Sequence, residues 1–386
     1  MSSHSAPTGV YDAAIVGAGI AGAATLFHLA SAGWRCLLLE REALAGMHST
    51  GRNAAMIRQN VADPVERRLA QKSAAFYAEP IGFDAPLEFR RCGSLLLFGG
   101  AIAPHAADPE LGAVPLERAS RTPDEARALV PLLDGTPFGS AELCASDGVL
   151  DVAGLLQGYL GASLRRGAEL RLRARVAAVA REPGGVFRLE TEAGTFRAAR
   201  VIDAAGAWCG ALGAALGSRV GRVLAPLRRH LFVTAPLAWV EKSWPFTWDE
   251  GNGFYFRPES GGLLFCPCDE RAAPAGEVAV DAAAEELALE KIARCLPRLL
   301  DARFRFRWAG LRTFAPDRRP LVGADPDVEG LLWCGGLGGH GISTAHEVGR
   351  LAAGAARGSA EGEDAILLAR LAPGRSCTVE TGAVRN

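Results

Sequence analysis

The chain has 386 residues and a formal net charge of −1, with 49% hydrophobic and 22% charged residues. This length predicts two interleaved domains, and the near-neutral charge argues against a nucleic-acid-binding protein. The nine cysteines have no metal-binding spacing, so they predict reduced thiols in a cytoplasmic protein without a metal site. Residues 1–9 predict no signal peptide, and the absence of a long apolar run predicts no membrane span, which leaves peripheral membrane contact open.

The first elements predict a βαβ unit that binds a dinucleotide. A strand at Tyr11–Val16, a helix at Ala21–Ala32 and a strand at Arg35–Glu40 follow one another. A glycine motif joins the first strand to the helix and consists of Gly17, Ala18, Gly19, Ile20, Ala21 and Gly22. Its glycines permit a tight turn and close approach of a pyrophosphate, while Glu40, followed by Arg41, would accept hydrogen bonds from a ribose. The motif leaves NAD and FAD open.

A run of small and hydroxylated residues follows the second strand. It contains Gly46, Met47, His48, Ser49, Thr50, Gly51, Arg52, Asn53, Ala54 and Ala55. Such side chains can pack on phosphates and an extended cofactor, and residues 48–55 are predicted to do so. The alternative is a surface loop with a capping hydroxyl, in which His48 would cap the loop instead of contacting a flavin.

The middle of the chain predicts a helix and three strands. The helix is Asp151–Arg166 with Asp151 as its N-cap, and the strands are 169–181, 186–191 and 195–203. The predicted cofactor contacts in this part are Val176, Ala204, Ala205, Gly206 and Trp208. For the small residues after the last strand, tight packing between a strand and a helix is the alternative.

Another set of strands predicts a separate, mixed sheet. The strands are 88–98, 229–236, 253–258, 263–267 and 303–314, with a helix at 281–300. Cys266 and Cys268 alternate along one of these strands and are expected on the same face.

Glycines precede the last long predicted helix and suit a flat ring lying on backbone. Short strands at 320–322 and 331–334 come first, and the helix N-terminus would direct N–H groups at developing negative charge. Thr344 and Glu347 have the spacing of a capping box. The predicted contacts are Gly336, Leu337, Gly338, Gly339, His340, Gly341, Ile342 and Ser343.

These four motifs, in this order, resemble the D-amino acid oxidase superfamily of FAD enzymes, and most closely the bacterial D-arginine dehydrogenase type of D-amino acid dehydrogenase. The resembling stretches are His48–Arg52, Ala204–Cys209, Leu227–Arg229, Gly253–Tyr255 and Trp308–Arg312. The resemblance implies an α/β fold, in which a glutathione-reductase-like FAD-binding Rossmann domain is interleaved with a mixed or antiparallel β-sheet substrate domain. Sarcosine oxidases attach flavin through a cysteine that residues 303–317 lack, so we expect non-covalent FAD.

The predicted domain boundaries lie where the chain passes between these two sets of predicted strands. Residues 9–80, 146–222 and 318–372 are predicted to form the FAD-binding domain. Residues 81–145 and 223–317 would form the substrate-binding domain, and residues 373–386 a C-terminal tail.

Arg312 is the first candidate for substrate binding. Alternation along its strand predicts an apolar face formed by Phe304, Phe306, Trp308, Gly310 and Arg312. A guanidinium on such a face needs an anion. That anion would be a substrate carboxylate, as the resemblance implies, or alternatively a buried acid such as Asp317. Gly310, in the same strand, is included among the predicted cofactor contacts.

Tyr255 and Arg229 complete the predicted catalytic set. Tyr255 lies between Phe254 and Phe256, faces the opposite way, and would reach the same carboxylate or be an ordinary sheet tyrosine. Arg229 matches a carboxylate-side arginine of the resembling dehydrogenases, with a solvated strand face as the alternative. The remaining predicted substrate contacts are Met56, Gly339 and His340.

The side-chain end of the pocket departs from that pattern. The guanidinium-binding glutamate of the D-arginine dehydrogenases aligns with Gly93, and a histidine and a tyrosine align near Met56 and Val61. The sequence therefore predicts a small or apolar D-amino acid instead of D-arginine.

The predicted reaction is hydride transfer from Cα to flavin N5, which gives an imine that hydrolyses to a 2-oxo acid and ammonia. The alternatives are a glycine- or sarcosine-type oxidase of N-substituted amino acids, a 2-hydroxy acid dehydrogenase with His48 or His340 as its base, and a non-catalytic flavoprotein subunit. The electron acceptor, whether oxygen, a quinone or a protein, stays open.

Overall fold

The computed structural model describes residues 9–102, 107–112 and 116–375. The signal-peptide prediction for residues 1–9 falls almost wholly outside these residues, as do Cys377 and most of the predicted tail. None of the described helices is long and apolar enough to cross a membrane.

The helices are α1 (Ile20–Ser31), α2 (Pro64–Ala78), α3 (Pro123–Leu129), α4 (Val152–Arg165), α5 (Cys209–Ala215), α6 (Ala282–Cys295), α7 (Gly341–Arg357) and α8 (Glu363–Leu371). The first strands are β1 (Ala13–Val16), β2 (Cys36–Leu39), β3 (Met56–Ile57), β4 (Phe89–Arg90), β5 (Ser94–Phe98), β6 (Arg118–Arg121), β7 (Ser140–Cys144), β8 (Gly148–Leu150), β9 (Glu169–Arg171), β10 (Val176–Arg181) and β11 (Phe187–Thr191). The others are β12 (Gly194–Ala198), β13 (Val201–Asp203), β14 (Ala225–Thr234), β15 (Phe246–Asp249), β16 (Phe254–Glu259), β17 (Gly262–Cys266), β18 (Arg271–Ala272), β19 (Phe304–Phe314), β20 (Leu321–Ala324) and β21 (Leu331–Gly335).

A six-stranded sheet in the order β20-β21-β13-β1-β2-β9 forms the nucleotide-binding half. Its strands are parallel except for the β20–β21 pair. Strands β1 and β2 consist of apolar residues because both faces of the sheet are covered. Helices α1, α4 and α7 pack on one face, and the antiparallel β10–β12 sheet contributes to the core of the other.

A nine-stranded, mostly antiparallel sheet forms the other half, in the order β18-β14-β17-β16-β15-β5-β7-β6, with β19 beside β14. One face carries Phe232, Phe254, Phe256 and Phe265, and packs on α3 and α6. The opposite face carries Leu231, Tyr255 and Cys266. The predicted α/β fold with a mixed second sheet is confirmed, while the exact domain boundaries stay a prediction.

Two predicted strands are interrupted where the backbone leaves the extended region. The predicted strand 88–98 divides into β4 and β5 at Gly93, whose φ is +80°, and 169–181 divides into β9 and β10 at Arg173, whose φ is +53°. The predicted helix 281–300 ends at Cys295, and the Pro297–Leu299 turn follows it. Asp151 caps α4 as predicted, since its carboxylate accepts a hydrogen bond from Gly154 N at 2.9 Å.

The alternation predicted for β19 is correct in its second half and wrong in its first. A register shift between Val233 and Thr234 of β14 turns Phe304 to the face of Phe232, with their rings 4.9 Å apart. Phe306 is 53% exposed, so it is not part of a buried apolar face. The cross-strand pairs of β14 and β19 place Trp308, Gly310 and Arg312 on one face.

Two further local predictions differ from the structure. The predicted placement of Cys268 in a strand is wrong, because Cys268 lies outside β17 with φ +53°. Its N–H donates to Cys266 Sγ at 3.4 Å, and the shared face of the two side chains stays a prediction. The N-cap of α7 is His340, and Thr344 lies inside the helix with its hydroxyl donating to His340 O at 3.0 Å. The Thr344–Glu347 pair is therefore not a capping box.

Candidate active site

One cavity of about 450 Å³ lies between the two sheets and is lined from both. Its nucleotide end is formed by backbone of the first βαβ unit and the β2 terminus. Its other end is formed by side chains from the nine-stranded sheet, among them Arg229, Tyr255 and Arg312. This volume lies within the range of small-molecule and cofactor sites.

At the nucleotide end, Glu40 is buried and organises the turn before α1. Its two carboxylate oxygens accept hydrogen bonds from Ala18 N at 2.8 Å and Glu42 N at 2.9 Å. Thr50 Oγ1 accepts one from Ile20 N at 3.0 Å. A Cβ added to Gly22 would lie 1.9 Å from Gly17 O, so this position requires glycine for the turn to close.

The loop after β2 carries the second motif and contacts β19. Ser49 Oγ donates to Leu311 O at 2.7 Å, and Arg52 Nη1 donates to Ala309 O at 3.3 Å. A Cβ at Gly310 would lie 3.0 Å from Arg52 Cβ, so glycine there permits this close contact. Arg52 also pairs with the exposed Glu277. The hydroxyl and guanidinium thus hold the loop to the strand that carries Arg312.

The glycine-rich segment between β21 and α7 forms the floor of the cavity. Gly338 N donates to Thr313 O at 2.9 Å, which joins this segment to β19. A Cβ added to Gly339 would meet no atom within 4 Å, so protein packing alone does not require a glycine there. The open space beside it leaves room for a ligand directly against the backbone at the start of α7.

These features fit FAD. The α1 N-terminus would hold the pyrophosphate, Glu40 the ribose, and the segment at Gly338–His340 the ring. The peptide dipoles at the α7 N-terminus point their positive end toward this part of the cavity. When bound, FAD would supply the hydride-accepting redox chemistry.

Most residues predicted for the cofactor line this cavity. They are Gly17, Gly19, Ile20, Ala21, Glu40, Arg41, His48, Ser49, Thr50, Asn53, Ala54, Ala55, Val176, Ala204, Ala205, Gly206, Trp208, Gly336, Leu337, Gly338, Gly339, His340, Gly341 and Ile342. The predicted residues that do not line it are Ala18, Gly22, Gly51, Arg52, Gly310 and Ser343. These six shape the wall indirectly: Ser343 Oγ, for example, accepts from Arg58 N at 3.0 Å and donates to Met56 O at 3.3 Å.

Several lining residues were not predicted. They include Leu39, Arg175, Trp248, Leu311 and Thr313. Arg175 precedes β10, beside the predicted contact Val176, and extending that prediction by one residue would have found it. Trp248 has no motif of its own, and only the pairing of β15 with β16 places it beside Tyr255.

Arg312 presents a guanidinium to the cavity without an acidic partner. It donates to Arg52 O at 2.6 Å and to Leu311 O at 3.2 Å, both main-chain carbonyls. No carboxylate of the described residues forms a salt bridge with it, and the alternative partner Asp317 pairs with Arg375 at 2.7 Å. Burial lowers the pKa of Arg312, because a desolvated cation lacks compensation. An anionic ligand would supply that compensation.

Arg229 is buried and already has an acidic partner, which contradicts the solvated-face alternative. It pairs with Glu270 at 2.6 Å and donates to Asp269 O at 3.0 Å. Glu270 also pairs with Arg318 at 2.6 Å, so two arginines share one carboxylate. Arg229 can therefore add positive potential at the Arg312 end of the cavity while its own charge is balanced.

Tyr255 is buried on the cavity face of β16, opposite Phe254 and Phe256 as predicted. Its ring stacks on Trp248 with centroids 4.6 Å apart. Burial raises the pKa of Tyr255 well above its usual value, so its hydroxyl stays protonated and can donate a hydrogen bond.

Both cavity histidines are paired with glutamates. His48 Nε2 lies 3.0 Å from Glu42 Oε1, with its ring 4.7 Å from Trp208. His340 Nδ1 lies 2.8 Å from the buried Glu66 Oε2. Each imidazole is thus oriented by a carboxylate. His340 is held both by the contact of its Nδ1 with Glu66 and by its place in the backbone at the start of α7.

Three positions were predicted to differ from the D-arginine dehydrogenases, and only one of them lines the cavity. Met56 lines it, but Gly93 and Val61 do not. Gly93 packs on β7 instead, since a Cβ there would lie 3.3 Å from Cys144 O and 3.4 Å from a Leu143 methyl group. Gly93 therefore does not contribute to the side-chain end of the pocket, because the break between β4 and β5 directs this position toward β7.

A family model described as DAO, FAD dependent oxidoreductase, matches residues 12–355. This chain belongs to that family of FAD-dependent oxidoreductases. Its cofactor is FAD, and the predicted superfamily is confirmed.

The similar proteins differ in length and in named activity. The chain is 27% identical to glycine oxidase of Geobacillus kaustophilus over 368 residues, which are 89% of this chain and 92% of the relative. It is 26% identical over 357 residues to the uncharacterized oxidoreductase YurR of Bacillus subtilis, covering 85% and 90%. It is 25% identical over 373 residues to the mitochondrial dimethylglycine dehydrogenase of Mus musculus, covering 88% of this chain but only 41% of that longer protein.

Two solved structures share the fold. The crystal structure of Geobacillus kaustophilus glycine oxidase matches with a TM-score of 0.77 at 24% identity, covering 95% of this chain and 99% of the other. That of L-proline dehydrogenase from P. horikoshii matches with a TM-score of 0.77 at 22% identity, covering 89% and 92%. None of these named proteins is a D-arginine dehydrogenase, so the narrower likeness stays a prediction.

Proposed function

We propose that this enzyme oxidises the C–N bond of a small or apolar α-amino acid whose carboxylate binds Arg312. The observation that carries the proposal is the Arg312 guanidinium, which faces the cavity and, among the described residues, hydrogen-bonds only to main-chain carbonyls. A carboxylate could accept two parallel hydrogen bonds from it. Such a pair would also compensate the charge that burial leaves unpaired.

Tyr255 and Arg229 would assist the same carboxylate. The protonated Tyr255 hydroxyl would donate a hydrogen bond, and Arg229, balanced by Glu270, would add positive potential without requiring a second anion. With the carboxylate fixed, the Cα–H bond of the substrate can be held in one orientation relative to the cavity floor. Positioning of this kind can account for much of the rate enhancement without a dedicated base.

The overall reaction would convert a primary amino acid to an imine by loss of the Cα hydride and an amine proton. FAD would accept the hydride, and water would then convert the imine to a 2-oxo acid and ammonia. The aromatic wall formed by the buried Tyr255 and the partly buried Trp248 would limit water near the reacting carbon until release of the imine.

Glycine and N-substituted amino acids form the second class of candidate substrates. The names of the similar glycine oxidase and dimethylglycine dehydrogenase favour them. The carboxylate anchor would be the same, and only the nitrogen substituent would differ. A 2-hydroxy acid would need a base for its hydroxyl, and His48 or His340, each oriented by a glutamate, would be the candidates. The names of the similar proteins favour an amino acid instead.

An anaerobic screen of the purified FAD enzyme tests the proposal and does not depend on the electron acceptor. The enzyme would be mixed separately with glycine, N-methylglycine, D- and L-alanine, D- and L-leucine, D-arginine and 2-hydroxy acids. Reduction would be monitored by the loss of the oxidised-flavin absorbance at about 450 nm. We expect at least one small or apolar amino acid to bleach the flavin. Reduction by 2-hydroxy acids alone would contradict the proposal.

A further inference from the structure

The cavity face of the nine-stranded sheet has a cationic end and an aromatic end. Trp248 of β15 pairs directly with Tyr255 of β16, which pairs with Cys266 of β17. The register continues through β14 to Trp308 of β19, and Arg312 lies on the same face four residues further along that strand. Four strand spacings, about 19 Å, and four residues along β19, about 13 Å, separate the backbones of Trp248 and Arg312. Both side chains line the same cavity, so they can contact opposite ends of one small substrate.

Trp248 is fixed by contacts on its ring. The Tyr255 ring stacks on it with a 24° interplanar angle, and the Arg58 Cζ lies 4.4 Å from the ring centroid. Arg58 is buried and is itself held, because its Nε donates to Asn60 O at 3.1 Å and its guanidinium pairs with Glu250. A stacked aromatic ring beneath a cation keeps one orientation, so the indole presents a rigid surface.

The aromatic end offers no partner for a positive charge. Glu40 is the single acidic side chain among the described residues that line the cavity, and it lies at the nucleotide end. Trp248 and Met56 both line the cavity and pack beside the apolar cluster that contains Tyr255, and the Arg58 cation, itself paired with Glu250, lies against the indole. An ammonium or guanidinium group on the substrate would lose its water there without gaining a carboxylate from the described lining residues, whereas an apolar group would meet apolar surface.

We propose that Trp248, positioned by Arg58, is the specificity-determining residue of this enzyme and limits the size of an uncharged, apolar substituent on the amino acid substrate. The inference rests on the proposed function, because it assigns the end of the pocket opposite Arg312. The substituent is an alkyl or aryl group, carried either on Cα or on the nitrogen. Removing the indole enlarges the space for that group and leaves the carboxylate anchor in place.

The test compares substrate preference in the FAD-loaded Trp248→Ala and wild-type enzymes. The kcat/KM for glycine is the reference, and the ratio to it is measured for leucine and phenylalanine, in the enantiomer that the wild type oxidises, and for N-methylglycine and N-benzylglycine. We expect at least one of the bulky substrates, phenylalanine or N-benzylglycine, to gain about tenfold or more relative to glycine. The phenylalanine arm identifies a Cα substituent, and the N-benzylglycine arm a nitrogen substituent.

Ratios within one variant cancel a general loss of active enzyme, so the result does not depend on equal stability. Trp239→Ala is the matched control, because Trp239 is 36% exposed and does not line the cavity, and its ratios should equal those of the wild type. Trp248→Phe removes less volume and should shift the ratios in the same direction if the alanine variant does not fold. Unchanged ratios in a folded Trp248 variant would overturn the inference, whereas a wild type that oxidises no amino acid would overturn the proposed function first.

Discussion

The two ends of the cavity differ in how the chain forms them. At the nucleotide end, the turn that would receive the pyrophosphate is one short run of consecutive residues, 17–22, held by the side chains of Glu40 and Thr50. At the substrate end, Arg229, Tyr255 and Arg312 come from three strands that are distant in sequence and meet through sheet register. One end is thus a local motif and the other a property of the assembled sheet.

This difference determines what a substitution can do. At the nucleotide end a single added methyl group collides with backbone, and the expected loss is that of cofactor binding. At the substrate end a side chain can be removed while the sheet and the FAD-binding motifs stay intact. Substitutions at the nucleotide end should therefore lower FAD content, whereas substitutions at the substrate end should lower kcat/KM and leave FAD content unchanged.

The largest effect is expected from Gly22→Ala, which should abolish FAD binding and with it activity. The new Cβ would lie 1.9 Å from Gly17 O, and backbone cannot move away without opening the turn. Bound flavin is measured by the ratio of flavin to protein absorbance after gel filtration. The control is Gly354→Ala, a glycine in α7 whose added Cβ would meet no atom within 4 Å, and which should keep full FAD content. Equal flavin content in the two variants would contradict the close-packed turn.

Arg312→Met should lower kcat/KM by about 10²–10⁴-fold and leave FAD content unchanged. The reason is the loss of a desolvated, charge-assisted contact worth about 3–5 kcal/mol. Steady-state kinetics with the best substrate of the screen, together with flavin content, measure both quantities. Arg307→Met is the matched control, since Arg307 lies in the same strand, is exposed and pairs with Glu285 at 3.0 Å. Normal kinetics, or complete loss of FAD, would show that Arg312 is structural.

Arg229→Met should cost less than Arg312→Met, about 10- to 100-fold in kcat/KM. Its removal takes away positive potential, but Glu270 keeps Arg318 as a partner, so no unpaired carboxylate is left. The control is Arg228→Met: Arg228 is the neighbouring residue, faces the opposite way and pairs with Asp281 at 3.2 Å. A larger loss for Arg229→Met than for Arg312→Met would reverse the assignment of the main carboxylate anchor.

The comparison also explains how far the sequence could predict the structure. Local motifs, such as residues 17–22 and the glycines before α7, led directly to residues that line the cavity. Strand alternation placed Tyr255 and Arg312 correctly, because no irregularity lies between them and their neighbours on the same face. It failed for Phe304, since the irregularity that leaves Arg305 of β19 unpaired has no signal in the sequence. Trp248 and the pairing of Arg229 with Glu270 depend on contacts between distant segments, which no local pattern contains.

The smallest predicted effect concerns the substrate's side chain. Flavin reduction should favour a small or apolar amino acid over D-arginine by at least about tenfold, equivalent to about 1.4 kcal/mol. Gly93 lies outside the cavity lining, so the preference depends on Met56 and on Trp248, which is covered by the Arg58 cation. A guanidinium buried there would have no acidic partner among the described lining residues, whereas an apolar group loses nothing. Stopped-flow reduction with D-arginine, D-alanine, D-leucine and glycine measures the preference. If D-arginine were the fastest of the four, a carboxylate would have to reach this end of the pocket, and Glu250, which already pairs with Arg58, would be the first residue to substitute.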